Sequence, residues 1–263
     1  AAVREALASR KGKTVALVYE SATNPLIDYT DTRAIARIAH EFGVPVIVDN
    51  TFLTPYLQQP MRMGADIVVH SMTKYMSGRG DMLAGAAVGP RTLVHATRHF
   101  QEVTGAVFQT PELMGRAYER LRTLGPRMEL HVRNAATLAD FLRTMRACAY
   151  VSEVKYPTLG KATRHGSPGA VMCFVMAGQD DNERQRRGAG LMQYVLDHGG
   201  DTIHHMVSLG DGEHLLFGET TNGLLKDPSF PAGLVRFAVG RTPDADRVKD
   251  FFGKAFEHVY RSR

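Results

Sequence analysis

The sequence predicts an α/β fold: a mostly parallel sheet, followed by a smaller α+β portion. Three observations predict it. Short apolar runs alternate with a helical pattern in the first ninety residues, those runs are continuous rather than two-sided, and the patterning becomes long-helical from about residue 111. A strand covered on both faces reads as an unbroken apolar run, which is what a parallel sheet between helix layers requires.

The opening "AAVREALAS" has the pattern of the tail of a helix, and with no initiator methionine it suggests a processed, truncated or split polypeptide. "KTVALVYE" (13–20) reads as a buried strand, and "SATNPLIDYTD" after it as a turn. In "DTRAIARIAHEFG" (31–43), Ile35, Ile38, Ala39 and Phe42 recur at helical spacing. Asp31 or Thr30 can cap its start, and Gly43 ends it. "VPVIVDN" (44–50), "ADIVVHS" (65–71) and "LAGAAVG" (83–89) supply three further strands. The stretch 111–145 predicts one long helix or a pair broken near Gly125-Pro126. Beyond it, "SEVKYP", "AVMCFVMAG" and "LVRFAVG" read as strands, and "RGAGLMQYVLDHG" and "ADRVKDFFGKAFEHVYR" as helices. The expected division is residues 1–125 and 126–263.

Composition narrows the classes. Hydrophobic residues make up 44% and charged residues 22% of the 263 positions, as in an ordinary soluble globular protein. No apolar run reaches the roughly 18 residues of a membrane-spanning helix, and the N-terminus lacks a signal-peptide core. Two cysteines, Cys148 and Cys173, are too few for a disulfide framework, so a cytoplasmic location is expected; both sit in apolar settings and read as core residues. The net charge of +5 is dispersed, its densest cluster being "ERQRRG" (183–188), with no zinc-finger spacing or aromatic RNA-binding strand. Neither nucleic acid nor membrane is an expected partner. His204-His205 has no carboxylate or cysteine at ligand spacing and is not read as a metal site. His70 reads as packing beside its strand, and Tyr56 as structural. Arg79-Gly80-Asp81 spells an adhesion-type tripeptide, which beside a buried site reads as coincidence.

Chemistry in open parallel sheets collects at the carboxyl ends of the strands. Asp49 closes "VIVD", and Lys74 follows "IVVHS" by three residues. Either alone is a weak signal; an aspartate there often caps a loop, and a lysine there often faces solvent. Together they point to pyridoxal phosphate, which needs a lysine for its Schiff base and an acid to keep its ring nitrogen protonated. Ser71 and Thr73 flank the lysine as hydroxyl donors for a phosphate.

The segment "VIVDNTFLTPYLQQPMRMGADIVVHSMTKYMSGRGD" resembles the lysine-bearing region of the Cys/Met-metabolism family of pyridoxal-phosphate enzymes, which includes cystathionine γ-synthase, methionine γ-lyase and the O-acylhomoserine sulfhydrylases. The likeness continues through "ESATNP", "VTGAV", "VSLGDGEHL" and "GLVRFAVG". It implies the fold-type-I transferase fold without its N-terminal part, 1–125 being the rest of the large cofactor domain and 126–263 the small domain. It implies that Lys74 forms the internal aldimine, that Asp49 pairs with the pyridine nitrogen, and that Ser71 and Thr73 hold the phosphate. Asn24 would meet the cofactor's phenolic oxygen, while Ser208 and Arg236 would hold the substrate carboxylate. A guanidinium suits that last role because it grips a carboxylate with two parallel hydrogen bonds.

The implied activity is elimination or replacement at the γ-carbon of a sulfur-related amino acid or homoserine ester. β-Elimination and a non-catalytic subunit are the alternatives. The implied assembly is a homotetramer built as a dimer of dimers, or a complex with a partner chain that supplies the missing N-terminal half. Three positions depart from the family pattern. Arg79 stands where histidine is usual, Met72 replaces a small residue, and 215–230 replaces a loop near the substrate side chain.

Overall fold

A computed structural model describes residues 2–106, 110–160, 163–206, 208–210, 212–218, 229–242 and 244–261. Its strands form two sheets. In the first, β1 (Leu17–Glu20), β2 (Val46–Asp49) and β3 (Ile67–Ser71) are parallel, and β4 (Gly85–Val88) pairs antiparallel to β3 at the edge. Helices α1 (Ala2–Ser9) and α2 (Thr32–Glu41) lie on one face of it. Leu7, Ala36 and Ala39 bury the Val46, Val48 and Val68 side chains there. Asp31 is the cap of α2: its carboxylate accepts the Ala34 amide at 3.1 Å. A one-turn helix α3 (Thr54–Leu57) and the turn Pro60–Met63 connect β2 to β3.

The other face of this sheet is only half covered. Burial alternates along β2 and β3, with Val46, Val48, Val68 and His70 inside and Ile47, Asp49, Ile67, Val69 and Ser71 partly exposed. His70 thus packs beside its strand, as expected.

After β4 come α4 (Arg91–Thr104), α5 (Pro111–Arg122) and the long α6 (Leu124–Ala147). The sequence left α4 unassigned. The expected pair of helices is present, but the break falls at Thr123; Pro126 lies in the first turn of α6, where its missing N–H forfeits no helical bond. The second sheet has the order β5 (Val151–Lys155), β6 (Val171–Met176), β9 (Leu234–Ala238), β8 (His214–Gly218) and β7 (Ile203–His205). All its pairs are antiparallel except β7 with β8. Helices α6, α7 (Asp181–His198) and α8 (Ala245–Arg261) pack against it around Phe174, Phe237, Phe252 and Phe256.

Three expectations need amending. The strand expected to be buried over 13–20 forms only at Leu17–Glu20, and Val18 on it is exposed. His214–Gly218 is a strand of the second sheet and not a loop; of the rest of the expected loop, 219–228 lies outside the described residues. Cys148 is exposed at the end of α6, because the last turn of that helix points outward; Cys173 is buried as expected.

Candidate active site

The strand register decides which side chains share a face. Asp49 sits opposite Val69 in the parallel β2–β3 pair, and Ser71 lies two residues further along β3. Side chains two apart on a strand point the same way, so Asp49 and Ser71 share the half-covered face. Glu20 is the register partner of Asp49 on β1 and lies on that face too. Thr51 ties the strand ends together. Its amide donates to Asp49 Oδ1 at 2.9 Å, and its hydroxyl accepts the Ser71 amide at 2.8 Å. Beneath them the buried Asn50 donates from Nδ2 to the carbonyls of Thr54 and Gln58, fixing the loop out of β2.

Immediately after β3, Met72–Met76 forms a short helical turn interrupted at Lys74, whose backbone (φ −86°, ψ −131°) is not helical. Its entrance is held by the Ala84 carbonyl, which accepts the Met72 amide at 2.9 Å. The Thr73 hydroxyl is committed to the same residue: it accepts the Ala84 amide at 3.1 Å and donates to its carbonyl at 3.4 Å. Gly210 closes over the exit. Its φ is +84°, and a Cβ there would lie 2.4 Å from the Tyr75 amide nitrogen, so only glycine fits.

Lys74 reaches out of this turn to the second sheet's loops, where Nζ donates to Ser208 Oγ at 3.0 Å. Burial lowers the pKa of the amine below the ordinary lysine value, and the neighbouring Arg236 cation lowers it further. Among the described residues no carboxylate pairs with Lys74. Arg236, on the buried strand β9, is only 2% exposed. Its Nη1 donates to Asn24 Oδ1 at 2.8 Å and its Nη2 to the Ser208 carbonyl at 3.0 Å, with the Phe217 ring 5.3 Å away. Burial brings its pKa down to about 10, so it is still a cation at neutral pH. Asn24 is presented by the turn after β1, its amide donating to Glu20 Oε2 at 3.0 Å.

Lys74, Ser208, Arg236 and Asn24 therefore form one connected network, although they lie up to 212 positions apart. Asp49 and Ser71 line the adjoining sheet face, while the Thr73 hydroxyl is turned to β4. Two contributors were missed by the sequence. Thr51 carries no signal beyond its place after Asp49-Asn50, and Gly210 was quoted in "SLGD" only for its serine. No cluster of three metal-ligating side chains occurs among the described residues.

The donor set fits pyridoxal phosphate. An amine kept partly out of water, bonded to a neutral hydroxyl and lowered in pKa, suits condensation with an aldehyde. A strand-end carboxylate, hydroxyls and a buried guanidinium complete the complement such a cofactor and an amino acid require.

Comparison with known proteins agrees. The chain is 36% identical over 211 residues to the L-methionine gamma-lyase of Pseudomonas putida, covering 77% of this chain and 50% of that protein. It is 40% identical over 159 residues to a cystathionine beta-lyase of Lactococcus lactis subsp. cremoris, covering 60% and 41%. Among solved structures, a methionine gamma lyase from Micromonospora echinospora superposes with a TM-score of 0.80 at 30% identity, covering 97% of this chain and 66% of that one. A cystathionine gamma synthase from Xanthomonas oryzae pv. oryzae gives 0.82 at 26% identity, covering 99% and 67%. The chain thus spans about half the length of these curated relatives and about two thirds of these solved chains. The lysine turn, the closed arginine strand and the two sheets that carry them lie within residues 1–256, the span matched by the family model "Cys/Met metabolism PLP-dependent enzyme", and it is to this family that the chain belongs.

Proposed function

We propose that this chain forms the lysine-bearing part of an enzyme that eliminates or replaces a substituent at the γ-carbon of a sulfur-related amino acid or homoserine ester. The observation that carries this reading is the Lys74 amine held at 3.0 Å from Ser208 beside Arg236, with no carboxylate to fix its charge among the described residues. When bound, pyridoxal phosphate supplies an electron sink for the charge left at Cα after its proton is removed. Lys74 is the residue that would carry its aldehyde, with Asp49 toward the ring nitrogen, Ser71 toward the phosphate, and Asn24 toward the phenolic oxygen; Thr73 would join Ser71 at the phosphate only by releasing Ala84.

Arg236 and Ser208 bind the substrate α-carboxylate. The guanidinium is already oriented by Asn24 and by the Ser208 carbonyl. With the carboxylate held there, the amine of Lys74 takes the proton from Cα and then serves Cβ, which loss of a γ-substituent requires. Its lowered pKa leaves a larger neutral fraction near pH 7 than an ordinary lysine has. The same residues hold the α-carboxylate whatever lies beyond Cβ, so β-elimination is the second reading, supported by the likeness to a cystathionine beta-lyase.

Residues 1–125 are proposed as the rest of the cofactor domain and 126–263 as the small domain. The assembly is proposed as a cytoplasmic homotetramer, or as a complex with a chain supplying the N-terminal half. No described helix is long and apolar enough to cross a membrane.

The test is a product assay with O-acetylhomoserine, O-succinylhomoserine, cystathionine and methionine, with and without added thiol, on wild type and Lys74→Ala. Keto-acid release marks a lyase and thioether formation a replacement enzyme; both must vanish in Lys74→Ala. Turnover that survives in Lys74→Ala overturns the reading.

A further inference from the structure

Helix α6 carries a buried arginine with no acidic partner among the described residues. Arg127 is almost fully covered, and every hydrogen bond it makes goes to a neutral oxygen. Nε donates to Thr123 Oγ1 at 3.2 Å, Nη1 to the Tyr75 carbonyl at 2.6 Å, and Nη2 to the carbonyls of Met76 at 3.1 Å and Arg120 at 2.9 Å. Burying a cation is costly unless its hydrogen bonds are met, and the nearby Arg241 and Arg120 cations add to that cost. A leucine or methionine would fill the same space in a helix more cheaply. The oxygens chosen explain the arginine. Tyr75 and Met76 are the two residues after Lys74, and Arg120 lies in the last turn of α5, so one planar fork gathers carbonyls at the ends of two helical segments, that of Arg120 also accepting the Thr123 amide and hydroxyl.

Two neighbours show that the grip is specific. Gly78 lies against the guanidinium, and a Cβ there would come within 2.3 Å of Nη1. Arg120 holds the following loop, with Nη1 to Ser77 Oγ at 3.2 Å and Nη2 to Asp81 Oδ2 at 2.7 Å. The peptides flanking Lys74 are thus fixed by Ala84 on one side, by Gly210 from above, and by Arg127 on the other side.

We propose that Arg127 is a positioning residue: by clamping the Tyr75 and Met76 carbonyls it holds the interrupted turn so that the Lys74 amine points at Ser208 and Arg236, linking the lysine's orientation to helix α6. Arg127 touches neither the amine nor the groups that meet substrate, so it acts only through the backbone. The functional meaning rests on Lys74 being the cofactor lysine; the clamp itself does not.

The experiment reads Lys74 directly in the full chain, without cofactor. Competitive acetylation across pH, with each lysine followed by peptide mass spectrometry and Lys155 and Lys249 as internal references, gives the titration midpoint of the Lys74 amine. Releasing the clamp lets the amine swing toward water and away from Arg236, so Arg127→Met is expected to shift that midpoint upward, toward those of the reference lysines. Arg127→Lys, which keeps the charge but not the fork, is expected to restore part of the shift. Thr123→Val, which removes one orienting contact, is expected to give a smaller rise and carries the test if Arg127→Met does not fold. A Lys74 midpoint that stays put in folded Arg127→Met, or in Thr123→Val where Arg127→Met does not fold, overturns the proposal. Protection of Lys74 from acetylation by added pyridoxal phosphate in the wild type is scored separately. Its absence would remove the cofactor reading and leave the clamp standing.

Discussion

Every residue of β6, β8 and β9 is buried, whereas β2 and β3 bury only alternate residues. The two sheets carry their chemistry differently as a result. On the first, Asp49 and Ser71 stand on a face with room beside it and need little from the protein beyond Thr51. On the second, Arg236 interrupts a closed apolar strand, where Asn24 and the Ser208 carbonyl help to meet its charge. A half-covered sheet can offer groups to an incoming molecule. A closed sheet can instead hold one group where it cannot drift.

The sharpest way to break this contrast is to truncate one large apolar side chain on each sheet. Phe237→Ala on β9 is expected to cost about 3–5 kcal/mol, because the cavity lies among Phe252 and other packed rings, whereas Ile67→Ala on the half-covered face should cost about 1 kcal/mol. Urea unfolding midpoints check both, and equal losses would dissolve the distinction.

Acid should probe the closed sheet next. His131 and His214 are buried against it, and burial lowers the pKa of each to about 4. The unfolded chain binds these protons near pH 6.5, so between that pH and 4 it holds more protons than the folded chain. Stability is therefore unaffected above 6.5 and falls as pH drops through the window, by about 2 kcal/mol per histidine between pH 7 and pH 5. Urea midpoints at the two pH values should show this slope, and His131→Asn or His214→Asn should each flatten it by roughly half.

Thr51→Val tests the first sheet's single tie. Leaving the Ser71 amide without its acceptor should cost about 1.5 kcal/mol and speed hydrogen exchange at that amide selectively. The smallest effect is expected on the helix layer, where Asp31→Ala removes the cap of α2 for about 1 kcal/mol, read from the thermal midpoint.

The first sheet was legible because each strand is a compact apolar run between clear turns, and α2 because its cap, stripe and terminal glycine agree. α4 was not, since its side chains face outward and leave no buried stripe. β8 was missed because "HLLFG" runs straight into a stretch that reads, with it, as one replaced loop. Cys148 was misjudged from its apolar neighbours, because sequence spacing does not reveal which way a helix's last turn faces. Of the candidate site, Asp49 and Lys74 could be picked out from strand ends alone. The meeting of Lys74 with Ser208, and of Arg236 with Asn24, depends on how two sheets dock, which no local pattern encodes; only likeness to a family brought those residues forward.

The bare α-carbon of Gly210 against the peptide after Lys74 has one more consequence. The sheets cannot shift at that point by a methyl group's width without pressing on the lysine or releasing it. A displacement at that contact would reach the Lys74–Tyr75 peptide directly, with no side chain between to absorb it.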